Sequence, residues 1–431
     1  MSIVAIGLVL ALVNLLVAAT TVLKPRVTLA NSPVDPIDPF AFDPGFDIQS
    51  VAGLAISLPS HSWEFGTASE ALLELWNPSL SIFGPEPFQA AASLSRDPLV
   101  AMSVPSLVYA QAKIVLGTGA NVLADGDGAV GDPASLGVSA VLLGKIAGNE
   151  TLRDAAEREA EYLLMGAPRF WNGAISHRVE YAELCLTRVQ TFRADFVYMA
   201  PPFLAYYAVE TSNPLLLQQT VEQCGLYRQI LQKNVSSATS YKGLWEHIIG
   251  PVNQDPGVWS TGNAWAAAGM TRVLATVLKA PSRITLTWKD DAVSELTQWI
   301  KEILDGAIRA KDITLALNGL LRNYLDDVSG DGHGFGETSG TALLASVSYR
   351  VVVLRPDIFY ADGSDRTYID WADELRKTLA EHITANGTAS PAVNPLNWSD
   401  TTQYTAGSPE GQNFVVLMYA AWRDCKIAEI C

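Results

Sequence analysis

Cysteine is scarce: Cys185, Cys224, Cys425 and Cys431 are the only four in 431 residues. Their spacing matches no zinc pattern, and a chain of this length needs no disulfide scaffold. Cys425 and Cys431 are close enough in sequence to pair in an oxidising compartment; four unpaired thiols are the alternative. Basic residues are also few. Lys and Arg total 29 against 45 Asp and Glu, a net charge of −16. No basic surplus exists to neutralise phosphates, so a nucleic-acid partner is excluded. The acidic balance suits an extracellular protein kept soluble by self-repulsion. Charged residues are only 17% and hydrophobic residues 49%, which excludes disorder and implies a large core. Continuous β-type alternation is nearly missing, and there is no Gly-x-Ser-x-Gly elbow, His-Glu-x-x-His helix or phosphate loop.

One long apolar run is present, Ile3 to Val22, with no charge before Lys24. It reads as a signal-peptide core followed by the small residues Ala18-Ala19-Thr20, or else as a membrane anchor, although no Lys or Arg precedes it. No later run of that length lacks charges and breakers. Four glycosylation sequons follow, at Asn149, Asn234, Asn386 and Asn397. A leader plus sequons points to secretion. Residues 23–60 are rich in Pro and Asp and weakly periodic, which reads as an arm lying on a domain.

From residue 61 the pattern is helical. Val293, Leu296, Ile300, Ile303, Leu304 and Ala307 fall at helical spacing. Met270, Val273, Leu274, Val277 and Leu278 do the same, as do Leu152, Ala155, Ala156, Leu163 and Leu164. Further helices are expected over 66–77, 97–116, 133–147, 201–210, 214–232, 337–353, 365–384 and 409–424. Strand-like pieces are short, such as Ala174-Ile-Ser176 and Thr285-Leu-Thr287. About a dozen helices suggest six helical hairpins of roughly 60 residues each in one domain, 61–431. Closure of such hairpins into a barrel does not follow from periodicity. The long loops between them are the natural home of function.

Two motifs are weak. Gly126-Asp-Gly128-Ala-Val-Gly131 has dinucleotide-type glycines but no βαβ context. Asp327-Val-Ser329-Gly-Asp331-Gly332 starts like a calcium loop, but Thr338 stands where the closing Glu belongs. Neither supports a metal or a cofactor.

The chemistry concentrates elsewhere. Phe170-Trp171-Asn-Gly-Ala-Ile-Ser-His177, Gly243-Leu-Trp245-Glu246-His247 and Trp259-Ser-Thr-Gly262-Asn263-Ala-Trp265 are aromatic loops with few polar groups. Between the first two lies Ala194-Asp195-Phe-Val-Tyr198-Met-Ala-Pro201-Pro202-Phe203, a lone Asp in an apolar run. Desolvation should raise such a carboxyl, which is what a general acid near neutrality needs. Each feature also has an ordinary reading: Asp as a helix cap, His beside Trp as a satisfied half-buried group, and Trp265 as core.

Taken in order along the chain, these segments resemble the unsaturated rhamnogalacturonyl hydrolases and the related unsaturated glucuronyl hydrolases. The resemblance covers about residues 61 to 424. It also rests on Trp63-Glu64-Phe65-Gly66, Asp132-Pro-Ala-Ser-Leu-Gly137, Glu337-Thr-Ser-Gly340 and Ser408-Pro-Glu-Gly411. It implies an all-α fold, an (α/α)6 six-hairpin barrel with short β pieces in its loops. It also implies a reaction without a cofactor on an oligosaccharide ending in a 4,5-unsaturated uronic acid. An acid protonates the vinyl ether carbon, water adds at C5, and the hemiketal opens with loss of the glycosidic link. Asp195 matches the family's catalytic Asp. Asp132, His177, His247, Trp259, Trp265 and Trp63 match positions that contact the sugar.

Two departures stand out. The family often has Arg within its Trp-x-Arg-Gly-Asn-x-Trp loop, where it helps hold the uronate; here the position is Thr261. The stretch Cys185-Leu-Thr-Arg-Val-Gln-Thr-Phe-Arg193 is an insertion between His177 and Asp195, and must bulge out if the barrel closes. A hydrolase of a saturated sugar and an inactive sugar-binding relative are the alternatives these departures leave open. The sequence gives no oligomeric state.

Overall fold

The computed structural model describes residues 35 and 37–431, apart from 182–187, 234–240, 252, 286, 310–314, 317, 330–332 and 398. The apolar run 3–22, the sequon at Asn234 and Cys185 lie outside the described residues. Twelve longer helices carry the fold. They are α1 (Ile48–Ser57), α2 (Ser62–Trp76), α3 (Pro105–Lys113), α4 (Gly137–Ile146), α5 (Glu150–Glu161) and α6 (Phe196–Glu210). The others are α7 (Pro214–Leu231), α8 (Ser260–Lys279), α9 (Lys289–Arg309), α10 (Thr338–Leu354), α11 (Thr367–Glu381) and α12 (Pro409–Ile427).

The even-numbered helices form an inner ring. α2 packs on α12, α12 on α10, α10 on α8 and α8 on α6; α6 packs on the short turn Pro133–Leu136 that leads into α4, and that turn packs on α2. The ring is therefore closed. Each inner helix also packs on the odd-numbered helix that follows it, and α12, the last, packs on α1, the first. This is the six-hairpin α/α barrel. Residues 31–431 make one compact unit.

Composition explains the two layers. An inner helix touches neighbours on all sides, so α8 is buried at every position from Ser260 to Val277 and shows no single apolar stripe. An outer helix buries one face. In α9 the buried residues Leu296, Ile300, Ile303, Leu304 and Ala307 recur at helical spacing. Close approach within the ring needs small residues. A Cβ on Gly269 of α8 would lie 2.1 Å from the Val197 carbonyl oxygen of α6. That carbonyl has lost its helical partner, because Pro201 has no N–H to offer it.

The structure shifts several expected boundaries. α6 starts at Phe196, not at Pro201, and contains both prolines. The single helix expected over 97–116 breaks into Pro98–Ser103 and α3, because Val104, preceding Pro105, is held extended. Thr285 ends a short helix, Ser282–Thr285, instead of opening a strand. Within the Pro-rich arm, Asp47 caps α1 through the N–H groups of Gln49 and Ser50, so the barrel begins before residue 61.

Deep in the ring, charges are paired. Arg272 reaches Glu70 at 2.7 Å, and Arg350 reaches both Glu74 and Asp424 at 2.6 Å. Cys425 and Cys431 form a disulfide at the C-terminus, and Cys224 is buried and unpaired.

Candidate active site at the inner helix starts

The six inner helices run in the same direction, so their N-termini meet at one end of the barrel. Contacts between successive starts show this. The Trp63 indole of α2 donates to Glu410 of α12 at 2.9 Å. Ser260 and Thr261 of α8 donate to Glu337, which caps α10, at 3.0 and 3.3 Å. Ser135, just after Asp132, donates to the Ser62 carbonyl at 3.1 Å. Six helix starts facing one mouth, whose first N–H groups have no partner within the helix, favour acidic groups there.

Asp132, His177 and Asp195 come together at this mouth. The buried His177 ring lies between the two carboxylates, with Nε2 3.4 Å from Asp132 Oδ1 and Nδ1 3.6 Å from Asp195 Oδ1. Backbone bonds fix His177 on both sides: its N–H donates to Thr191 O at 2.8 Å, and its carbonyl accepts from Val130 N–H at 2.7 Å. Asp195 is the N-cap of α6 and accepts from Phe196 N–H at 3.2 Å. It is thus both the cap that an ordinary reading expects and a neighbour of His177. Its side chain keeps 19% exposure, so solvent or substrate can reach it.

The described part of the inserted stretch, 188–193, is paired into the site and does not loop away from it. Glu180–Tyr181 pairs with Arg188–Val189, and the chain then returns so that Ser176 Oγ accepts from Thr191 N–H at 3.0 Å. Phe192–Arg193 next pairs with Ile248–Ile249, and Ala194 N–H donates to His247 O at 3.2 Å. Asp195 therefore reaches His177 despite the extra residues; 185–187 themselves lie outside the described residues.

His247 forms the second half of the site. Its Nδ1 lies 2.8 Å from Asp255 Oδ2 and 3.1 Å from Tyr324 Oη, and its ring packs on Trp259 at 4.3 Å between centroids. Burial lowers the His247 pKa, opposed by Asp255. For Asp255, burial would raise the carboxyl, but hydrogen bonds from His247 and Tyr324 outweigh it and hold the pKa below the usual carboxylate value. Trp259 caps α8 and donates its indole N–H to Asn323 at 3.0 Å.

Trp63 and Trp265 differ. Trp63 is half-buried beside His61 at the mouth. Trp265 is 1% exposed, packed on Tyr198 and Phe414 at 4.5 Å each. It sits one turn below the start of α8 and supports the site from the core; its ring offers no open face for a sugar. The Gly126–Gly131 segment is a turn before the Pro133 helix start, not a nucleotide fingerprint. Asp327 accepts from the N–H groups of Ser329 and His333, as an ordinary turn residue does, while residues 330–332 lie outside the described set.

Sequence reasoning assigned no role to Asp255, Tyr324, Glu410 or Arg193. Asp255 carried one signal, the turn-forming Asp-Pro-Gly at 255–257. Glu410 and Glu337 lay inside motifs already noted, as the first acidic groups of α12 and α10. Burial pushes Glu410 well above the usual carboxylate range, Glu64, Asp195 and Glu337 add to the rise, and the Trp63 bond opposes it.

Comparison with known proteins shows the family and the fold. The family model described as Glycosyl Hydrolase Family 88 matches residues 124–351, more than half of the chain, and spans Asp132 to Glu337. The chain is 26% identical over 217 residues to the unsaturated rhamnogalacturonyl hydrolase YesR of Bacillus subtilis strain 168; the match covers 49% of this chain. It spans only 55% of that curated relative's length. Among solved structures, a possible member of the GH105 family from Salmonella enterica serovar Paratyphi A superposes with a TM-score of 0.62 at 16% identity, covering 93% of this chain and 98% of that one. The unsaturated glucuronyl hydrolase of Bacillus sp. GL1, responsible for glycosaminoglycan degradation, gives 0.56 at 14% identity, covering 87% and 94%. At these identities the structural likeness speaks for the fold.

Proposed function

The chain belongs to Glycosyl Hydrolase Family 88, and from that premise we propose that it is a glycoside hydrolase removing a 4,5-unsaturated uronic acid from the non-reducing end of pectin-type oligosaccharides. The observation that carries this reading is the placement of His177 between Asp132 and Asp195 at the barrel mouth. Asp195, partly exposed, serves as general acid and base. Its proton goes to C4 of the vinyl ether, and charge develops at C5. Water attacks C5 and returns a proton to the Asp195 carboxylate, which regenerates the acid. The hemiketal then opens and the glycosidic bond is released. One carboxyl group suffices because the proton given in the first step is recovered in the second. Asp132 and His177 orient Asp195 and the sugar, and Trp63 and Trp259 border the cleft. This differs from ordinary glycosidase chemistry, where two carboxylates divide the roles of acid and nucleophile or base.

The same reading makes the enzyme extracellular. The Cys425–Cys431 disulfide and the exposed Asn386 and Asn397 of two sequons support it.

The test uses the purified chain with lyase-generated pectin oligosaccharides and follows loss of the double-bond absorbance. Steady loss is the expected result. A folded protein that leaves the absorbance unchanged on pectin and glycosaminoglycan substrates alike overturns the proposal.

A further inference from the structure

We infer that Arg193 supplies the cation that holds the substrate's uronate carboxylate, at a site where Thr261 supplies none. The inference rests on the unsaturated-uronide reading above. It begins with a mismatch of charge. The chain carries −16 overall, and the mouth collects Asp132, Asp195, Asp255, Glu337 and Glu410. An anionic sugar needs a local positive group there. Thr261 is fully buried and its hydroxyl is already given to Glu337.

Arg193 is placed for the task by backbone alone. It lies two residues before Asp195, and its strand partner is Ile248, the residue after His247. The neighbouring Phe192 turns into the core against Phe170 and Tyr227. The pleat therefore sends Arg193 to the opposite side of this short strand. There its charge acts on both His247 and Tyr324, which puts the guanidinium beside the His247–Asp255–Tyr324 group.

The side chain is also unspent. Its Nε is buried and has no hydrogen-bond partner, and the guanidinium makes no ion pair with any described residue. The arginines deep in the barrel behave otherwise: Arg272 and Arg350 each hold a carboxylate. A buried guanidinium N–H without an acceptor is costly unless a ligand satisfies it. A carboxylate is the natural acceptor, because the planar fork of Arg matches its two oxygens.

The experiment compares wild type, Arg193→Gln and Arg193→Lys on an unsaturated uronyl disaccharide and on its uronate methyl ester. Thermal midpoints and circular dichroism confirm that each variant is folded. Wild type is expected to prefer the free acid at least tenfold in kcat/KM. Arg193→Gln should raise KM for the acid at least tenfold, change kcat less, and lose the preference over the ester. Arg193→Lys should fall between, since it keeps the charge but not the fork; it also carries the test if Arg193→Gln does not fold. Active wild type with both folded variants keeping its KM and its preference overturns the inference alone. Wild type inactive on both substrates overturns the functional reading and this inference with it.

Discussion

His247 Nδ1 and Asp255 Oδ2 lie 2.8 Å apart, and that contact decides which nitrogen of the ring carries the proton. Asp255 is held ionised by the bonds it receives and can only accept, so Nδ1 carries the proton and Nε2 is the acceptor. Tyr324 donates to the same carboxylate oxygen. The expected result of Asp255→Asn is a tenfold to hundredfold drop, on the order typical for losing an orienting partner, with Asp195 untouched. Steady-state kinetics against Tyr324→Phe, which removes one bond but leaves the carboxylate, should show the smaller effect for Tyr324→Phe. Equal effects would mean that orientation by the charge is not what matters.

Asp195→Asn keeps a side-chain oxygen to cap Phe196 N–H but has no proton to give or take. Turnover should fall by about 10³-fold or more while the thermal midpoint stays within a degree or two. An active Asp195→Asn variant would move the acid role to another carboxyl.

Glu337→Ala is a stability variant. It strips the cap from α10 and leaves the hydroxyls of Ser260 and Thr261 and the N–H groups of Ser339 and Gly340 without their acceptor, all of them buried. The expected loss is about 2–4 kcal/mol in denaturant unfolding. Glu337→Gln should lose less, since it still accepts. A loss below ~1 kcal/mol for alanine would mean that water replaces the carboxylate.

Gly269→Ala tests the packing of α8 on α6. The added methyl would meet Val197 O at 2.1 Å, and backbone on a packed helix cannot swing aside. A destabilisation of about 3 kcal/mol is expected from overpacking. Gly53, whose Cβ would meet nothing within 4 Å, is the control, and Gly53→Ala should be neutral or slightly stabilising.

The pH dependence of stability carries a signature of Glu159. Burial pushes its carboxyl up to about 8 from the ordinary value of 4.5. The folded state therefore binds this proton more tightly than the unfolded chain does. The stabilisation is complete below pH 4.5 and is lost as pH rises towards about 8. Glu159→Gln should flatten that slope and exceed wild type at pH 8 by about 4 kcal/mol, on the usual conversion of pKa shift to energy. Parallel unfolding curves at pH 5 and pH 8 for the two proteins measure it; an unchanged slope would show that Glu159 finds water or a partner.

Parts of this molecule were legible in its residues and parts were not, for physical reasons. The outer helix α9 declares itself because it buries one stripe. The inner helix α8 shows apolar spacing only by chance, since every side is covered. Pro201 and Pro202 looked like a helix start because proline fits the first turn; in α6 the missing bonds are tolerated where α8 presses in at Gly269. α1 was hidden by its proline-rich flank. His177, Asp132 and Asp195, which the fold brings together, stood out in the sequence because each lies in a patterned segment. Asp255, Tyr324 and Arg193 were missed because each is a single polar residue in an unremarkable loop or strand, and only folding brings them to His247. Trp265 carried a motif and proved to be core.

The last hairpin of the barrel pairs inner α12 with outer α1, the latest of the twelve helices with the earliest. During synthesis α1 leaves the ribosome without its partner, and it must wait for about 350 further residues, on the order of tens of seconds at ordinary translation rates. Until then the apolar face of Ile48, Val51, Ala52 and Ala55 has no permanent cover, and the half-built ring has two open sides. This hairpin therefore completes only after α12 has been made. Truncation of α12 should cost the whole ring, where loss of a terminal unit from an open stack would cost only that unit.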